Sequence, residues 1–179
     1  MDTNLPAASP EQGPAPARRA LVLAAVCLAA LCMPLSFTGP AIAIPAIAAE
    51  LRGSPLALAW ITNAFMLSFG GCLMAAGALA DRYGRKRVFL MGMSVFSAAA
   101  LALAAAPSIV LLDVLRAVQG LGCAMALSSG LAALAQEFDG PARARAFSLI
   151  GTAFGVGLAF GPFLAGVLIA RTGCAPSLS

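Results

Sequence analysis

Asp113, Arg116 and Gln119 follow one another at intervals of three inside a long apolar stretch. Residues three apart share one face of an α-helix, so an acid, a base and an amide fall into a single polar stripe. An ionised group within a membrane costs on the order of 3 kcal/mol unless it is paired or hydrated, which makes function the default expectation. A carboxylate beside a guanidinium can take up and release a proton as the pair closes and opens. Asp113 is the natural partner of Arg116 and the only carboxylate expected well inside an apolar run. A static ion pair near the membrane surface explains the same two residues equally well.

A second cluster is denser. Residues 77–87 read G-A-L-A-D-R-Y-G-R-K-R and hold Asp81, Arg82, Arg85, Lys86 and Arg87, in a chain of 179 residues with only eleven bases and seven acids. Asp81 can accept hydrogen bonds from a helix N-terminus and favours its positive dipole end. Arg85 is placed to pair with an acid at the inner end of the polar-striped helix, either Glu137 or Asp139. A third group consists of Gly151, Gly155, Gly157, Gly161 and Gly166 with Pro162. The spacings 151/155 and 157/161 are those that let helix backbones approach closely. Gly70, Gly71 and Gly77 are expected to do the same.

Other chemistries find no support. There is no histidine, the commonest general base and metal ligand. The five cysteines (Cys27, Cys32, Cys72, Cys123, Cys174) lack metal-ligand spacing and read as small apolar groups. No phosphate-binding glycine loop ending in Lys-Ser or Lys-Thr is present. An enzyme, a metal site or a bound cofactor is therefore not expected.

The elements that position these groups are long helices. The chain is 61% hydrophobic and 10% charged, with a mean hydropathy of +0.94. A helix needs roughly 20 mostly apolar residues to cross a bilayer, and five such runs occur, at about 20–48, 56–80, 88–106, 108–136 and 146–170. The fold class is all-α integral membrane, with no room for a soluble domain. Residues 1–17, rich in proline, read as a disordered cytoplasmic tail, and 171–179 as a short outward one. Arg18-Arg19 before an apolar run resembles a cleaved signal, but that run is about twice the usual length and four more follow, so a retained first helix is expected. The third run lacks an ionisable group and reads as a lipid-facing support, and 137–145 as a charged loop.

Charge sets the topology. With the N-terminus inside, the inward segments carry Arg18, Arg19, Arg82, Arg85, Lys86, Arg87, Arg143 and Arg145, and the outward ones only Arg52 and Arg171. This fits the positive-inside rule and accounts for the net charge of +4 without nucleic acid. Trp60 and Tyr83 fall at opposite ends of the second helix, where amphipathic rings favour the interface.

Three patterns, in order and each on its expected element, resemble the major facilitator superfamily. Residues 77–87 are similar to its loop signature G-x-L-A-D-R-x-G-R-K. Arg116, Gln119, Gly120 and Gly122 resemble the helix 4 signature R-x-x-Q-G-x-G. Gly157, Gly161, Pro162 and Gly166 resemble the antiporter signature G-x-x-x-G-P-x-x-G-G, with Ala165 departing from it. Residues 35–38 and 43–47 are similar to the opening of the 14-helix drug:H⁺ antiporters, with Ser36 where that group has Asp and Ala41 where it has Asn. The resemblance covers about residues 20–170. It implies proton-coupled export of small apolar or amphipathic molecules across a bacterial inner membrane, with the proton gradient as energy source. It also implies that Gly77, Asp81, Arg82, Gly84, Arg85 and Lys86 form a conformational latch. On that reading Asp113 is the candidate proton carrier, held ionised by Arg116 until substrate or conformation separates them.

The family is built from three-helix inverted repeats in two six-helix domains. Five helices make one repeat and two-thirds of the next, so the resemblance implies a missing C-terminal domain, a truncated chain and no activity alone. The alternative is a small membrane interaction protein that oligomerises or pairs with a separately encoded remainder. Substrate identity and oligomeric state are not legible.

Overall fold

The computed structural model describes residues 16–51 and 55–172, and the surroundings of individual side chains within 17–37, 56–163 and at Val167. Arg52, Cys174 and the expected N-terminal tail up to residue 15 lie outside the described residues. Five α-helices follow in order: α1 (Pro16–Leu51), α2 (Pro55–Tyr83), α3 (Arg85–Leu103), α4 (Ile109–Glu137) and α5 (Gly140–Thr172). Each contains a stretch long and apolar enough to cross a membrane, and no strand occurs among the described residues. The protein is an all-helical membrane protein.

The helix ends differ from the sequence reading in three places. The charged packet is not a loop: Asp81 and Arg82 close α2, Arg85 opens α3, and Gly84 alone joins them. Gly84 takes φ 93°, a left-handed value that a side chain would strain. The stretch 137–145 is likewise mostly helix. Gly140, at φ 52°, turns the chain, and Pro141 fits the first turn of α5 because its missing N–H is an orphan there in any case. On the other side, α3 stops at Leu103 rather than 106, and Ser108 caps α4 by accepting from the Leu111 N–H at 3.4 Å.

Helix α4 is the hub. It packs against α2 on one side and α3 on another, while α1 crosses it and carries α5. The pairing of α4 with α2 is matched by that of α1 with α5, the exchange expected of inverted repeats. Small residues make this possible. A Cβ on Gly92 would stand 2.6 Å from the Ala126 nitrogen, and one on Gly122 2.7 Å from the Phe96 nitrogen, so α3 and α4 touch backbone to backbone. Gly120 admits Ser68 and the Phe65 carbonyl of α2 equally closely. Helix α3 thus has a buried face, Val88, Gly92, Phe96 and Ala99, as well as the expected lipid-facing one with Leu90, Met91 and Leu101.

The glycines expected to tighten α2 do not. No atom lies within 4 Å of where a Cβ would stand on Gly70, Gly71 or Gly77, nor on Gly151 or Gly155 of α5. These backbones face outward from the bundle, so their small size serves no contact among the described residues.

Candidate functional site

At the base-rich end of the bundle, charges pair locally. Arg85 donates to Asp81 Oδ1 from Nη2 at 3.0 Å and from Nε at 3.4 Å, and its Nη1 donates to the Ala132 carbonyl of α4. Glu137 instead meets Arg18 of α1 at 2.9 Å, and Asp139 is exposed. The expected pairing of Arg85 with Glu137 or Asp139 is therefore corrected. The one-residue joint at Gly84 brings Arg85 four positions after Asp81, within reach, while the end of α4 faces α1. Arg82 lies 5.7 Å from the centre of the Tyr83 ring, and Lys86 and Arg87 are exposed.

Near the other end, Arg116 is 9% exposed and Gln119 1%. Arg116 Nη1 donates to Gln119 Oε1 at 2.8 Å and to the Ser36 carbonyl of α1 at 2.9 Å. That carbonyl is free for a covalent reason. In an α-helix it would accept from the N–H four residues on, and residue 40 is proline, which has none. Arg116 supplies the missing donor and so ties α4 to α1. The sequence held this signal, a proline four residues after the carbonyl, but a search for acids as partners passes it by.

The expected Asp113–Arg116 pair does not form: no ion pair joins them, and Asp113 Oδ1 is buried without a partner, as is Arg116 Nε. A guanidinium turned towards α1 by a strong backbone acceptor points away from the preceding turn of its own helix.

Between these charged regions lies an apolar cavity of about 200 Å³ walled by α1, α2, α4 and α5. Met33, Phe37, Phe65, Phe69, Phe154 and Leu158 are its main lining. Phe65 and Phe69 stack at 6.1 Å with an interplanar angle of 9°, and Phe37 meets Phe65 at 6.1 Å. Sequence reasoning expects phenylalanine and leucine in a cavity wall but assigns none of these side chains to it, because phenylalanine in a membrane helix looks alike whether it faces lipid or a cavity. Of the α5 signature, Gly157 is buried against the Leu31 carbonyl, 2.8 Å from its would-be Cβ, and against Pro34. Gly161 is also buried and Pro162 exposed, while the surroundings of Gly166 fall outside the described residues.

The described residues thus form a bundle of long apolar helices gathered around a polar stripe and an apolar cavity. Residues 26–176 match the family model of the Major Facilitator Superfamily, and the chain belongs to that family. It is 35% identical over 170 residues to a probable actinorhodin transporter of Streptomyces coelicolor, covering 89% of this chain and 29% of that protein. It is 35% identical over 153 residues to a methylenomycin A resistance protein of Bacillus subtilis, covering 85% and 33%. A multidrug efflux pump of Mycolicibacterium smegmatis is 35% identical over 155 residues, covering 86% and 31%. The chain thus spans about a third of the length of these relatives.

Proposed function

We propose that this chain forms part of a proton-coupled exporter of small apolar or amphipathic molecules in a bacterial inner membrane, with its N-terminus in the cytoplasm. The observation that carries the reading is the aromatic and methionine wall of the cavity, which offers area and soft contacts to an apolar solute without fixing its shape. The names of the relatives, which speak of actinorhodin transport, methylenomycin A resistance and multidrug efflux, agree with it. Asp113 is the proposed proton carrier, because its buried oxygen has no partner that would hold it in one state. The cluster Gly77, Asp81, Arg82, Gly84, Arg85 and Lys86 is the proposed latch.

Export by alternating access needs a second bundle to rock against. The bare faces of α2 and α5, with Gly70, Gly71 and Gly77 on one and Gly151 and Gly155 on the other, are the surfaces we assign to it. The five helices described are accordingly proposed to be inactive alone.

The test is a fusion. Residues 1–170 are joined to the remaining two-thirds, approximately, of the B. subtilis relative, and efflux of a fluorescent aromatic dye is followed in cells lacking their own pumps. The reading predicts dye export that a protonophore abolishes and that Asp113→Asn strongly reduces. Export by Asp113→Asn at the unaltered rate would remove the carrier role. No export from a correctly inserted fusion would remove the transport reading itself.

A further inference from the structure

Arg116 carries a full charge whose hydrogen-bond partners are both neutral, the Ser36 carbonyl and the Gln119 amide oxygen. Its Nε is buried and donates to nothing. The ion pairs recorded among the described residues, Arg18–Glu137 and Arg85–Asp81, lie at the opposite end of the bundle. The nearest acid along α4, Asp113, sits one turn outward from Arg116. The cavity side chains of the same helix, Cys123 and Leu127, lie inward, beginning about 10 Å along the axis.

Two rings connect the charge to the cavity. Phe37 and Phe65 line the narrow space against Arg116 and also the wall of the apolar cavity. Among the described residues, no acidic side chain lines either space. A solute in the cavity therefore meets apolar rings, and beyond them a cation whose buried Nε–H has no partner. At that separation, in a medium of protein-like dielectric, one unit charge changes the affinity of a charged solute by about tenfold or more.

We propose that the cavity selects aromatic solutes bearing an anionic oxygen group, a carboxylate or phenolate, and discriminates against organic cations. The rings pack among Phe65, Phe69 and Phe154, and the anionic group is directed to Arg116 Nε once the Phe37 ring swings aside. Arg116 is thereby a specificity residue. This rests on the reading of the cavity as the solute site.

The probes are 2-naphthoate and 2-naphthylmethylammonium, which share their rings and differ in the sign of their charge. Equilibrium dialysis is run on the full chain in phosphatidylcholine nanodiscs, with empty nanodiscs as blank. Naphthoate is expected to bind at least about tenfold more tightly than the ammonium. Arg116→Lys should keep most of that preference and Arg116→Gln should bring the two within about twofold. In the unaltered chain, the Arg116 Nε–H resonance should move on adding naphthoate and stay in place with the ammonium, a readout that needs no variant. Equal affinities, or tighter binding of the ammonium, would overturn the charge selectivity while leaving the cavity a solute site. A naphthoate preference that survives in folded Arg116→Gln would overturn the assignment to Arg116. Binding of neither probe would overturn this inference and the solute-site reading together.

Discussion

Gly92 and Gly122 hold α3 and α4 so close that a Cβ on either would fall 2.6–2.8 Å from atoms of the facing backbone. Gly151 and Gly155 on α5, four residues apart as close-packing glycines are, face nothing within 4 Å. The residue type is the same and the surroundings are opposite. Membrane helices gain little from hydrophobic burial against one another, because lipid is as apolar as leucine, and close backbone packing must do the work instead. The first pair is thus part of what holds the bundle together. The second pair makes no such contact among the described residues, and on the proposed reading it is left for a second bundle.

The sharpest way to break this comparison is to fill both sites. Gly92→Leu should destabilise the bundle by about 3 kcal/mol, because backbone atoms cannot step aside for a side chain. Gly151→Leu should change stability by less than about 0.5 kcal/mol. Reversible unfolding of both variants in mixed micelles reads the difference, and equal losses would erase the distinction.

A smaller effect is expected where α4 meets α1. Arg116→Leu leaves the Ser36 carbonyl without its donor and should cost about 1–2 kcal/mol. Pro40→Ala returns an N–H to α1 and should recover most of that loss in the double variant. A double-mutant cycle measures the coupling, and strictly additive losses would show that Arg116 does not stand in for the missing donor.

At the base-rich end the effect should shrink again. Glu137→Gln removes the pair with Arg18, whose side chain is 67% exposed. The expected loss is about 1 kcal/mol and is only partly screened in 1 M salt, since the Glu137 side chain is 11% exposed, which unfolding at two salt concentrations would reveal. Opposite in sign, Gly77→Ala should stabilise this chain by about 0.5 kcal/mol, the low end of what alanine gains over glycine in a helix. In the fusion with a second bundle, the same change should lower export. A gain in stability with unchanged export would mean that the bare α2 face is not an interface.

Much of the fold was legible because bilayer thickness sets a minimum length for an apolar run, and five runs exceeded it. Helix ends were less so. Charge in 137–145 read as loop, yet α5 begins at Gly140, and Asp139-Gly140-Pro141 carries the turn and first-turn proline that mark such a start. The stripe Asp113, Arg116 and Gln119 was legible from spacing, but its partners were not. Local charge pointed Arg116 at Asp113, and tertiary contact gave it a carbonyl 80 residues away in sequence. A cavity with phenylalanine and leucine in its wall was legible from the prolines and composition of the spans, but its particular side chains were not, since which phenylalanines face inward depends on how α1, α2, α4 and α5 cross.

The claim that matters most is that the apolar cavity, rather than the lipid-facing surface, receives the solute. Methionine methyl resonances separate the two directly. The buried Met33 and the half-exposed Met66 line the cavity, whereas Met74, 88% exposed, and Met91, 56% exposed, stand apart from it on the outer surface. Titration of the nanodisc-embedded chain with 2-naphthoate should shift Met33 and Met66 saturably and leave Met74 and Met91 in place. Shifts at Met74 and Met91 with none at Met33 and Met66 would contradict the account.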